Sequence, residues 1–135
     1  MGSQHAFNIS AWSDRFVFIP SDKRKELVMK SNILYCKADG SYINIYLCDG
    51  RCIPSVCRSL SWMEDQLSDG PFMRCSRSYI VNMDMIKEID TIGCHAFILI
   101  NDKCIDIADN TWEKLKPVID AKLKGKPPAP GTNNV

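Results

Sequence analysis

The sequence predicts a mainly β fold, a β-rich α+β arrangement of several small antiparallel sheets with one central helix and a short C-terminal helix. Three observations lead there. Tyr42 to Cys48 alternates strictly, with Ile43, Ile45 and Leu47 on one side and Tyr42, Asn44, Tyr46 and Cys48 on the other, the period-2 pattern of a half-buried strand. Further runs of β-branched and aromatic residues recur roughly every 8 to 12 residues, the spacing of all-β folds. Only one stretch in the middle of the chain, Ser59 to Leu67, has a clean helical period.

In chain order, residues 1–13 show no period and read as a linker or expression remnant outside the fold. Asp14 to Pro20 reads as a short strand, Ser21 to Lys25 as a charged turn and Leu27 to Met29 as its return, forming a hairpin. After the alternating strand, Asp49-Gly50 supplies a two-residue turn, because both tolerate positive φ, and Arg51 to Cys57 returns. Ser59 is placed to cap the helix, Leu60, Met63 and Leu67 form its apolar stripe, and Ser68 to Pro71 stops it. Strands follow at Tyr79 to Val81, Ile86 to Ile89, Phe97 to Ile100 and Cys104 to Ile107, with Asn101-Asp102 as a tight turn between the last two. Asn110 and Glu113 have the spacing of a capping box for a terminal helix that Pro117 should kink or split. The segment 125–135, rich in Pro and Gly, reads as a flexible tail, leaving one domain over residues 14–124.

Composition excludes several classes. Hydrophobic residues make up 45% and charged residues 24%, which is globular. Net charge is only +1, so any affinity for nucleic acid must come from local charge. The seven cysteines include no CxxC pair, and no secretory h-region precedes them, so reduced thiols in a cytoplasmic, metal-free protein are expected. No apolar run approaches the roughly 20 residues of a membrane span. Phosphate loops and paired catalytic carboxylates are missing, and Cys94-His95 lacks a partner to orient its base. The chain reads as a non-enzyme without cofactors.

Two stretches resemble the LytTR family of DNA-binding domains. Ile33 to Leu47 (ILYCKADGSYINIYL) is similar to the family pattern I-x-Y-I-E-A-x-x-N-Y-V-x-I-x-L, and Phe72 to Asn82 (FMRCSRSYIVN) to F-x-R-x-H-R-S-Y-L-V-N. The match runs from about Phe16 to Leu123 and includes the central helix. The resemblance implies an elongated arrangement of small sheets whose loops enter successive major grooves of double-stranded DNA, commonly at direct repeats. It also implies a bacterial two-component response regulator, with an upstream receiver domain, a partner histidine kinase and dimerisation on DNA. The loop around Tyr42, Arg77, and the segment before the terminal helix would supply three contacts. Two departures stand out: Ser76 where many members have His, and Ala108-Asp109-Asn110 where basic residues are common.

The residues themselves fit those roles to different degrees. Taken alone, Arg77 reads as a solvated surface arginine; between Ser76 and Ser78 in this block it reads as a base or phosphate contact. Lys37, Ser41, Tyr42 and Asn44 surround one turn and carry groups suited to phosphates and base edges, although Tyr42 alone would be a half-buried strand residue and Asp39 repels phosphate. Arg58 and Arg74 flank the helix, where either can hold a phosphate, or Arg74 can pair with Glu64 or Asp65. Asn110 has the amide needed to read adenine. The expected function is sequence-specific DNA binding in transcriptional regulation; the alternative is a protein-interaction module that keeps the fold with weak or no DNA binding.

Overall fold

The computed structural model describes residues 6–21 and 23–124. The flexible tail expected over 125–135 lies outside them. The chain falls into two compact units, Met1–Ile86 and Lys87–Val135.

The first unit opens with a single helical turn, α1 (Ile9–Ser13), in the segment that shows no period in sequence. Asn8 caps it by accepting from the Ala11 N–H, and the Trp12 ring lies 5.4 Å from that of Phe16. A turn this short gives no repeat to detect. β1 (Phe16–Ser21) and β2 (Arg24–Met29) form the expected hairpin, with Val17, Ile19 and Val28 buried and Phe18, Leu27 and Met29 exposed.

β3 (Ile33–Asp39), β4 (Tyr42–Leu47), β5 (Cys52–Val56), β6 (Phe72–Arg74) and β7 (Tyr79–Asn82) make a five-stranded antiparallel sheet in the order β5-β4-β3-β7-β6. Ile43, Ile45 and Leu47 are buried, while Asn44 and Tyr46 are half-buried, as the alternation of β4 requires. The central strand β3 does not alternate: Ile33, Leu34, Tyr35 and Cys36 are all buried. A strand covered on both faces has no polar side to give it a period, which is why periodicity passes it over. The β4–β5 connection holds Cys48, Asp49, Gly50 and Arg51, two residues more than expected. Cys48 leaves the ladder to donate its N–H to the Asn32 carbonyl at 2.7 Å, and Gly50 takes φ 94°.

α2 (Leu60–Gln66) carries the chain from β5 to β6. Ser59 caps it through the Trp62 N–H at 3.0 Å, and Leu60, Met63 and Leu67 pack on Ile33, Cys36, Ile43, Ile45 and Ile80. The apolar stripe therefore does what its spacing predicts.

In the second unit, β8 (Glu88–Ile92), β9 (His95–Ile100) and β10 (Lys103–Ile107) form a three-stranded antiparallel sheet in the order β10-β9-β8. β8 begins two residues later than expected, because Met83–Met85 is a 3-10 turn that Asn82 caps through the Asp84 N–H. Asn101 adopts φ 52° in the turn between β9 and β10. α3 (Asp109–Leu123) differs from expectation at both points of detail. Its N-cap is Ala108, so Asn110 sits inside the first turn and cannot act as a capping-box residue; Asp109 places the first-turn carboxylate that favours the helix dipole. The helix also runs through Pro117 without a break.

Candidate nucleic-acid interface

Antiparallel pairing decides which loops meet. Because β3 pairs with β4 on one side and β7 on the other, the β3–β4 turn (Gly40-Ser41) and the β6–β7 loop (Ser76–Ser78) leave the same end of the five-stranded sheet. The pairing of Ile43 with Val56 brings the exit of β5, and hence Arg58, to that end as well. Ser41, Tyr42, Arg58, Ser76, Arg77 and Ser78 are thus gathered from three chain segments. Neighbouring strands are roughly 4.8 Å apart, so all of them lie within a few strand widths.

The β6–β7 loop is tightly held. Cys75 donates its N–H to the Tyr79 carbonyl at 2.9 Å, Ala38 donates to the Ser78 carbonyl at 2.8 Å, and the Ser76 hydroxyl accepts from the Ser78 N–H at 3.2 Å. Arg74 reinforces it from below. Its Nε donates to the Ser76 carbonyl at 2.8 Å, one terminal nitrogen donates to the Arg77 carbonyl at 3.1 Å, and the other to Glu64 at 2.9 Å. The Arg77 side chain is exposed at the tip of this fixed loop. Of the two arginines in the block, one holds the backbone and the other extends from it.

On the neighbouring turn, Ser41 is exposed and Tyr42 retains 45% of its accessible surface. Gly40 takes φ 62°, which lets the turn close without strain. Asn44 is engaged within the sheet, where its Oδ1 accepts from the Ser55 N–H at 2.9 Å across a bulge between β4 and β5, and Ser55 itself takes φ 56°. Lys37 is half-buried and pairs in register with Asn44 and Tyr79. On the same face Tyr35 stacks on Tyr46 at 4.6 Å and approaches Tyr79 at 6.0 Å. Burial first, then the neighbouring Tyr46 and Tyr79, push the Tyr35 phenol up to about 12, so this phenol is neutral at physiological pH.

Arg58 lies 5.5 Å over the Trp62 ring and donates one hydrogen bond to the Cys57 carbonyl. Across from it stand Lys23, Arg24 and Lys25 of the β1–β2 hairpin, which sequence reasoning treats only as a charged turn. The consecutive Lys-Arg-Lys was a visible signal, but its convergence with Arg58 depends on the fold. Asn110 is exposed in the first turn of α3 and belongs to the second unit. Among the described residues, no group of three or more His, Cys, Asp or Glu side chains is placed to hold a metal ion, and no helix is long and apolar enough to cross a membrane.

The model of the LytTr DNA-binding domain family matches residues 23–119, most of the chain and both units. The chain belongs to the LytTr family. A solved LytTr DNA-binding domain from Bacillus cereus, named as that of a methyl-accepting/DNA response regulator, superposes with a TM-score of 0.63 at 19% identity, covering 78% of this chain and 96% of that one. At that identity the likeness shows a shared fold. No curated protein matches the chain. LytTr membership makes this a DNA-binding domain by family, with several small antiparallel sheets in place of a helix-dominated reader.

Proposed function

We propose that this LytTr domain binds duplex DNA sequence-specifically as the output domain of a cytoplasmic bacterial two-component transcriptional regulator. The observation that carries the reading is the loop Ser76–Ser78. It presents a fork-shaped cation, Arg77, from a backbone fixed by Arg74, Ala38 and Tyr79. A guanidinium held this way suits the O6 and N7 acceptors of guanine, and fixing the loop in advance lowers the ordering cost of contact. Ser41 and Tyr42 stand beside it with a hydroxyl and a phenol for phosphates or base edges, and Ser78 adds a second hydroxyl. Lys37, Asn44, Arg74 and Ser76 contribute chiefly by shaping these loops, and Asn110 supplies an amide from the second unit.

Double-stranded DNA carrying direct repeats is the partner we assign, with two copies of the domain bound side by side. An upstream receiver domain, phosphorylated by a histidine kinase, would supply control. Domains of this size with little net charge gain most from two linked contacts, since the second becomes effectively intramolecular. The test is a gel-shift series on duplexes with one site, two direct repeats and scrambled sequence, at low and moderate salt. Preference for the repeat at moderate salt is the expected result. Absence of binding at low salt overturns the reading and leaves a protein-interaction module.

A further inference from the structure

We infer that the groove between the β1–β2 hairpin tip and the exit of β5 is a second seat for the DNA, one that grips the phosphodiester backbone beside the base-reading loops; the inference rests on the DNA-binding reading above. The groove has a volume of about 780 Å³, and Lys23, Arg24, Lys25 and Arg58 line it with Pro20 and Pro54. No carboxylate of a described residue lines it. Asp22, between Ser21 and Lys23 in sequence, lies outside the described residues.

What sets this cluster apart is the meeting of four cations at one surface, none of them held by a carboxylate in the ion pairs found elsewhere. Lys30, Arg51, Arg74 and Lys116 are all engaged by carboxylates at 2.9 to 3.4 Å. None of the four groove cations takes part in these ion pairs, and Lys23, Arg24 and Lys25 are exposed. Four like charges facing one concave surface repel each other, and a polyanion relieves that repulsion. The chain's near-neutral total therefore hides a local positive field of the kind a backbone contact needs.

The position of the groove selects DNA as the polyanion. Val56, next to the groove wall, pairs with Ile43, one residue from Tyr42 on the adjacent strand. β5 and β7 are three strand spacings apart in the sheet order, roughly 14 Å. Duplex DNA carries one phosphate charge per roughly 1.7 Å of axis, so a duplex engaged by the Arg77 loop continues past the groove with several phosphates in reach. The contacts are to backbone and carry no sequence information. Their effect is to set orientation and add affinity equally on all sequences.

The variant for the test is Lys23→Gln/Arg24→Gln/Lys25→Gln in the full chain, compared with the unaltered protein and with the charge-preserving Lys23→Arg/Arg24→Lys/Lys25→Arg. Affinity for a repeat duplex and a scrambled duplex is measured across a salt series, after checking that thermal melting is unchanged. The expected result is a slope of log affinity against log salt shallower by about two to three units in the Gln variant, with the preference for the repeat retained. The charge-preserving variant should restore the slope. An unchanged slope in the Gln variant, with normal binding by the unaltered protein, overturns the groove alone. Failure of the unaltered protein to bind either duplex overturns the DNA reading and the groove with it. Amide shifts at Lys23 to Lys25 on adding inorganic pyrophosphate, with the DNA slope unchanged, mark a small-anion site and also overturn the proposal.

Discussion

Arg74 donates to the main-chain carbonyl of Arg77 at 3.1 Å, so one arginine fixes the backbone from which the other projects. With a second bond to Ser76 and an ion pair to Glu64, the guanidinium ties the β6–β7 loop to α2. Arg74→Ala should lower stability by about 1 to 3 kcal/mol in urea unfolding, since hydrogen bonds from a charged donor are lost. Amide exchange at Ser76 to Ser78 should accelerate. Arg74→Lys should not rescue it, because a single ammonium lacks the fork. Glu64→Gln, which removes a partly exposed ion pair, should cost about 1 kcal/mol or less. Unchanged exchange in Arg74→Ala would remove the buttress.

Arg77→Ala should leave melting unchanged and weaken binding to the preferred duplex by about 1 to 3 kcal/mol if the guanidinium reads a base. A phosphate contact gives a different signature: equal loss on all sequences and a salt slope shallower by about one unit. Equal affinity of variant and unaltered protein at several salt concentrations would place the contact elsewhere, at Ser41-Tyr42 or Asn110.

Asn44 and Ser55 form a local lock, in which the amide oxygen satisfies a backbone N–H that the bulge removes from the ladder. Asn44→Ala should cost about 0.5 to 1.5 kcal/mol, the net worth of one hydrogen bond at an exposed position that water can reach. Ser55→Gly should be neutral or stabilising, because glycine adopts φ 56° without the Cβ penalty. A larger loss in Ser55→Gly than in Asn44→Ala would contradict this account.

Ile45 is fully buried between α2 and the neighbouring strands. Ile45→Asp should abolish cooperative unfolding, since an unpaired carboxylate would enter the core. Ile45→Val should cost only about 0.5 to 1.5 kcal/mol. A cooperative melt in the Asp variant would mean that the register of β4 is wrong.

Burial pushes the Cys36 and Cys75 thiols up to about 12. Iodoacetamide at pH 8 should therefore spare both while labelling the exposed Cys57, Cys94 and Cys104. The same shifts set an alkaline limit. The folded state keeps these protons, and that of Tyr35, where the unfolded chain has released them. Stability is thus fully present below about pH 9 and falls as pH rises toward 12. A flat melting temperature between pH 8 and 11 would refute it.

Much of the molecule was legible in its residues by themselves. Strict alternation located β4 and its buried face, Ser59 and the Leu60-Met63-Leu67 stripe located α2, and the Phe72 to Asn82 block pointed to the family. These signals are local, since each depends on residues within one element or one turn. Tertiary structure decided the rest. β3 has no period because both its faces are covered, and α3 starts at Asp109 because Ala108 leaves β10 in an extended conformation. Arg74 and Arg77, three residues apart in one motif, separate into a buttress and an exposed tip only once the loop closes. Lys23 and Arg58 share a groove because antiparallel pairing and hairpin docking bring together segments distant along the chain, and no pattern within either segment encodes that meeting.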